Sequence, residues 1–185
     1  MIKILAISGS LRKDSFNRKL LQVAKKIASN SEVQIKEFDL KENSLPIFDQ
    51  DIAGSMPDSV KKIMEEASWA DMFLITSPEY NHSISGALKN AIDWISLDYT
   101  KTTKGKWAVI FGASTGIYGT LRAQAHLREI LGALGVNIIP QPEIFIGSVE
   151  GKFDEQGNFN DEKNAKVLED VINETISLCL KNKEN

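Results

Sequence analysis

One cysteine, two histidines and no long apolar run set the first limits on this 185-residue chain. Cys179 has no second thiol to pair with and falls at an apolar position of the last helical pattern. A buried, inert thiol is therefore expected there rather than a redox nucleophile. His82 and His126 lack a third ligand at metal-binding spacing, which points to solvent-facing or helix-end roles and to no metal site. No stretch is long enough to span a bilayer. The opening Met1 to Ser8 has a short apolar run but neither a separate basic region nor a small-residue cleavage site. A cytoplasmic protein without a membrane partner is expected. The 22 basic residues are dispersed among 25 acidic ones, for a net charge of -3, and form no block. Nucleic acid is therefore disfavoured as a partner. Internal repeats, linkers and low-complexity segments are also missing.

What is present is a chain with 42% hydrophobic residues, enough for one sizeable core. A single domain over residues 1–180 is expected, with 181–185 as a frayed tail. Residues 2 to 8 form a β-rich apolar run, and Leu20, Ala24, Ile27 and Ala28 then recur at helical spacing. The alternation repeats through a strand at Val33 to Phe38, a helix carrying Val60, Ile63, Met64 and Ala67, and a strand at Asp71 to Thr76. Helices carrying Ile84 to Ile95 and Leu127 to Leu134 flank a strand at Trp107 to Ala113. A last strand is expected around Val136 to Ile139, with Ile144 to Ile146 as a further candidate. An irregular loop over 147–160 leads to Asp161, the expected cap of a final helix. Strands alternating with helices of this length imply an α/β fold: a doubly wound, five-stranded parallel sheet of flavodoxin-like order 2-1-3-4-5, helices on both faces. Ligands of such sheets sit at the carboxyl ends of the strands, where the winding reverses.

Three loops fall at that edge. The first, Ser8-Gly9-Ser10-Leu11-Arg12-Lys13-Asp14-Ser15-Phe16-Asn17, lies between a buried strand and a helix. Hydroxyls of Ser10 and Ser15, the Asn17 amide, the Arg12 guanidinium and helix-start N–H groups can donate to phosphate oxygens. Read alone, the same residues serve equally as a helix cap beside solvated Arg12 and Lys13. The loop matches neither a dinucleotide fingerprint nor a triphosphate P-loop, so a monophosphate ester fits it better. Ser10 also lacks a nucleophile-elbow context, and no Ser, His and Asp set emerges. After the third strand comes Ser77-Pro78-Glu79-Tyr80-Asn81-His82-Ser83, where Pro78 turns the chain outward. Tyr80 there offers a flat face and Asn81 an amide for a heterocycle's edge; a loop covering the core edge is the bland alternative. The third loop, Gly112-Ala113-Ser114-Thr115-Gly116-Ile117-Tyr118-Gly119, permits close backbone approach to a flat ligand, or simply makes a tight turn.

Together these loops resemble the NADPH-dependent FMN reductase family, particularly its bacterial quinone and chromate reductase branch. The resemblance rests on Gly9 to Asn17, Pro78 to Ser83, Leu88-Lys-Asn-Ala-Ile-Asp-Trp94 and Ser114-Thr-Gly116, and spans nearly the whole chain. It implies that Ser10, Arg12, Ser15 and Asn17 bind the FMN phosphate. It places Pro78, Glu79, Tyr80 and Asn81 along the isoalloxazine ring, with Ser114 and Gly116 near its other contacts. NADPH or NADH is the implied donor, and a quinone, free flavin, azo compound or oxyanion the implied small-molecule acceptor. The flavin carries the chemistry, so no catalytic acid or base is assigned. A homodimer or homotetramer is implied as well. Many relatives have a glycine pair in the fourth-strand loop, where this chain has Gly119-Thr120 before Leu121-Arg122. A flavodoxin-like electron carrier is the rival reading; a signalling receiver would need acidic residues where Ser8-Gly9-Ser10 and Ser77-Pro78 stand.

Overall fold

The computed structural model of the chain describes residues 1–29 and 32–184. Five parallel strands, β1 (Ile2–Ser8), β2 (Val33–Phe38), β3 (Met72–Thr76), β4 (Trp107–Ala113) and β5 (Phe145–Ile146), pair in the order β2-β1-β3-β4-β5. The α-helices among the described residues are α1 (Phe16–Ala28), α2 (Asp58–Trp69), α3 (Gly86–Ser96), α4 (Tyr99–Thr102), α5 (Leu121–Ala133) and α6 (Glu162–Glu184). A 3-10 turn over Gln50–Ser55 and the short α4 are additions that no apolar period announces.

The period-two alternation of the strands decides which face each residue serves. Ile2, Ile4 and Ala6 of β1 pack with Leu20, Leu21 and Ala24 of α1 and Leu168, Ile172 and Ile176 of α6. Leu5 and Ile7, one step out of phase, pack on the other face with Ile63 of α2, Leu88 and Ile92 of α3 and Leu127 of α5. Central strands covered on both faces are buried and mostly apolar, with Lys3 half-buried in β1 and Ser8 and Thr76 at the carboxyl ends, whereas β2 at the edge alternates half-buried and exposed positions up to the buried Phe38. Each fully buried leucine such as Leu20 contributes about 1.5–3 kcal/mol through the water it sheds.

The fifth strand differs from the main expectation. Residues 136–139 make only one bridge to β4, with Asn137 N donating to Lys106 O and Ala108 N to Asn137 O, each at 2.8 Å. Pro140 and Pro142 follow directly and cannot supply ladder N–H groups. The ladder resumes at Phe145–Ile146, opposite Gly112 and Ala113, and so reaches the carboxyl edge of the sheet. The loop over 147–160 is closed by rings: Phe153 stacks on Phe16 at 6.0 Å and meets Phe159 at 5.0 Å. Asp161 caps α6 as expected, accepting from Asn164 N at 3.1 Å. The tail expected to fray over 181–185 is helical through Glu184, with Lys183 Nζ held 2.6 Å from Asp71; Asn185 lies outside the described residues. Among the described residues no helix is long and apolar enough to cross a membrane.

Candidate functional site

The sheet order places the reversal of winding between β1 and β3, and the loops after β1, β3 and β4 meet there. Gly9 N donates to Thr76 O at 2.7 Å, and Ser85 Oγ to Gly9 O at 2.5 Å, so the first loop is pinned to β3 and to the start of α3. Beyond Gly9, the residues Ser10, Arg12, Ser15, Phe16 and Asn17 line a cavity of about 170 Å³, with Pro78, Glu79, Tyr80, Ala113, Ser114 and Thr115 on its other walls. Eight of the ten expected site residues thus share one cavity; Asn81 and Gly116 are not on its walls.

Ser15 is the N-cap of α1: its Oγ accepts from Arg18 N at 3.4 Å, while the N–H groups of Phe16 and Asn17 in the first turn have no intrahelical acceptor. Arg18 and Asp39 form an ion pair that ties α1 to the end of β2. Burial opposes ionisation of Asp39, but the Arg18 hydrogen bond prevails and lowers its pKa. Arg12, by contrast, is exposed and forms no ion pair among the described residues. An uncompensated guanidinium, two buried hydroxyls and a helix N-terminus therefore face the same space.

Asn17 does something the sequence did not disclose. Its Nδ2 donates to Ala113 O at 2.9 Å and its Oδ1 accepts from Ala113 N at 3.0 Å. Both polar atoms of the amide are thus engaged with the end of β4, leaving one N–H of the amide group for a ligand. The residue joins the first and third loops across the cavity floor.

Glu79 is similarly redirected. Thr120, the N-cap of α5, makes no side-chain cap, and the Glu79 carboxylate takes its place by accepting from Arg122 N at 3.0 Å and Ala123 N at 3.1 Å. Arg122 Nη1 adds a contact of 3.6 Å to Glu79 and lies over the Tyr118 ring. The carboxylate therefore meets the positive end of a helix, and its charge is spent before any ligand arrives. Tyr80 and Ser83 exchange backbone bonds of 2.9 and 3.1 Å around Asn81 and His82, whose φ values of 50° and 66° make a primed two-residue turn. Ser83 Oγ and His126 Nδ1 lie 3.0 Å apart, fastening this turn to α5. Asn81 is held as a turn residue, and Tyr80, 46% exposed, is left standing over the cavity.

In the third loop, Ser114 Oγ donates to Gly119 O at 2.6 Å, and Gly116 O accepts from Ser148 N at 3.0 Å. Gly116 thus shapes the loop through its carbonyl. Thr120 turns inward: it is fully buried, and its Oγ1 accepts from Gln124 Nε2 at 2.9 Å. A side chain at Gly112 would collide with Ser77 O and with Thr120, so β3, β4 and α5 approach closely only with glycine there. Phe16, Ala113 and Thr115 are wall residues missed as candidates; each is adjacent to one that was named, which is the only signal the sequence carries for them.

The family model for NADPH-dependent FMN reductases matches residues 2–151. This chain belongs to that family. An NAD(P)H-dependent FMN reductase from Pseudomonas aeruginosa is 40% identical over 172 residues, covering 92% of this chain and 91% of the relative. A 2-hydroxy-1,4-benzoquinone reductase from a Burkholderia species is 36% identical over 169 residues, covering 91% of each. Among solved structures, the flavoenzyme NAD(P)H:acceptor oxidoreductase FerB of Paracoccus denitrificans superposes with a TM-score of 0.86 at 33% identity, covering 98% of both chains. As a family member the chain is an FMN-dependent NAD(P)H oxidoreductase with a small-molecule acceptor. The residues present suit that cofactor: hydroxyls, an unpaired guanidinium and free helix-start N–H groups match a phosphate monoester. FMN held there would supply the redox chemistry between a reduced nicotinamide and the acceptor, while Ser10, Arg12, Ser15 and the start of α1 would hold its phosphate.

Proposed function

We propose that this reductase holds FMN in the cavity between its three loops and reduces quinones there. Ser10, Arg12, Ser15 and the first-turn N–H groups of α1 bind the phosphate; Pro78, Tyr80, the main chain of Glu79 and Asn81, and the loop from Ser114 to Gly116 border the ring. Asn17 acts in this site chiefly by holding Ala113. The observation that carries the reading is the unpaired Arg12 beside two buried serine hydroxyls at the mouth of a helix.

A second cavity of 310 Å³, lined by Gly9, Leu11, Arg12, Tyr80, Ser85, Gly86 and Ala87, shares Arg12 and Tyr80 with the first. Its predominantly apolar walls suit a flat, neutral acceptor better than an oxyanion. The 2-hydroxy-1,4-benzoquinone reductase among the relatives supports the same choice. Steady-state rates at saturating NADPH with benzoquinone, an azo dye, chromate and free FMN test it: quinone should have the highest kcat/KM, and equal values across the four would defeat the preference.

The molecule is proposed to work as one unit over residues 1–180, in the cytoplasm, as a homodimer or homotetramer. Ile117, Tyr118 and Leu121 are 75%, 60% and 40% exposed on the third loop and the start of α5, an apolar rim that a second copy would cover. Light scattering on the FMN-loaded protein distinguishes the assemblies, and a monomer at micromolar concentration would remove this element of the reading.

A further inference from the structure

At the opposite, amino-terminal edge of the sheet lies a cavity of 200 Å³. Lys106, which immediately precedes β4, lines it together with Asp71, Lys104, Cys179 and Lys183. The Lys106 amine is half-buried, and its Nζ donates to Ala67 O at 2.6 Å and to Ser68 O at 3.0 Å, the free carbonyls at the end of α2. Among the described residues it forms no ion pair with a carboxylate. The one acid on the wall, Asp71, is already occupied by Lys3 N at 2.8 Å and Lys183 Nζ at 2.6 Å. Lys104 is exposed at the rim without an ion pair among the described residues.

We propose that Lys106 is an acylation site, taking acyl groups directly from acyl phosphates that enter this cavity. Two carbonyls fix the two N–H bonds of the neutral amine, so its lone pair is directed away from them. The cation at Lys104, which unlike Lys183 is not paired with Asp71, draws in the anionic donor and accommodates the phosphate as it leaves. Burial lowers the Lys106 pKa to about 8, only partly opposed by Asp71, so a useful share of the amine is neutral near physiological pH. The neighbouring thiol does not compete: burial, reinforced by Asp71, raises Cys179 to about 12.

The amine attacks the acyl carbon, the N–C bond forms and the C–O bond to phosphate breaks. Inorganic phosphate leaves, one proton passes from Nζ to solvent, and no atom is oxidised or reduced. The resulting amide has a single N–H and no charge, so one of the two α2 carbonyls loses its donor and the helix loses a cation at its negative end. This chemistry is seven strand residues away from Ala113 along β4 and does not use the flavin cavity.

The test incubates FMN-loaded protein with acetyl phosphate near neutral pH and follows each lysine by peptide mass spectrometry. A pKa near 8 against the ordinary ~10.4 gives about two-hundredfold more free amine near neutral pH. Allowing for half-burial, Lys106 should react ~tenfold faster than exposed Lys13, Lys26 and Lys61. In Lys104→Ala, an exposed position, the Lys106 rate with acetyl phosphate should fall about threefold relative to its rate with the neutral N-acetoxysuccinimide. Lys106 acylation no faster than at the exposed lysines would overturn the proposal. So would an unchanged ratio of the two reagents in Lys104→Ala, because the cavity would then play no part in selecting an anionic donor.

Discussion

Replacing Glu79 with alanine removes the carboxylate that caps α5 from a loop 43 positions earlier in the chain. The N–H groups of Arg122 and Ala123 lose acceptors at 3.0 and 3.1 Å, and Thr120 makes no side-chain cap to replace them. Loss of a helix cap costs roughly 1–2 kcal/mol. Loss of a negative charge at a helix N-terminus adds about 0.3–1 kcal/mol. The 3.6 Å contact with Arg122 adds almost nothing, because that guanidinium is 44% exposed and screened. Glu79→Ala should therefore destabilise the flavin-free protein by about 2 kcal/mol, and Glu79→Gln, which keeps an acceptor and loses the charge, by about 1 kcal/mol. Urea unfolding should show a lower midpoint at unchanged slope. Since the same carboxylate fixes the loop bearing Tyr80, FMN affinity should fall in parallel. An alanine variant within about 0.5 kcal/mol of the parent, or a glutamine variant as damaged as alanine, would refute the capping role.

Three further outcomes follow from the geometry. Arg12→Ala removes the unpaired guanidinium and should weaken FMN binding by about 1.5–3 kcal/mol, read by quenching of flavin fluorescence, with little effect on turnover once FMN is saturating. Asn17→Ala strands the N–H and carbonyl of Ala113 in a buried position and should cost ~2–4 kcal/mol in thermal or urea unfolding, more than an ordinary surface loop substitution. At Asp161, burial opposes ionisation, but hydrogen bonds from Lys152 and Asn164 prevail and bring the carboxyl to about 2. A depressed pKa stabilises the fold above the unfolded value of ~3.9 and loses that contribution as the pH falls toward 2. Asp161→Asn should accordingly narrow its stability deficit relative to the parent across that acidic window.

The strands buried on both faces were legible because β1, β3 and β4 are nearly continuous apolar runs, and the resulting 2-1-3-4-5 order located the site before any side chain was placed. The fifth strand was less legible because only Phe145 and Ile146 extend the ladder, on the far side of two prolines. The roles of Asn17 and Glu79 were hidden for another reason. Their partners lie 96 and 43 or 44 positions away, and the same side chains that could face a ligand instead complete backbone hydrogen bonds elsewhere. Local composition identifies a polar residue at a sheet edge; which orphan donor it satisfies depends on the assembled fold. Thr120 shows the same dependence, since its inward turn follows from the close packing that Gly112 allows against α5.

An anaerobic absorbance titration tests the central claim most directly. The protein is loaded with FMN, freed of excess cofactor, reduced with NADPH or NADH, and then given benzoquinone. One FMN per chain should be retained, and the oxidised flavin band should be lost on adding a reduced nicotinamide and return with quinone. Retained flavin that no nicotinamide bleaches would contradict the reductase reading, and failure to retain FMN would contradict the assignment of the cavity itself.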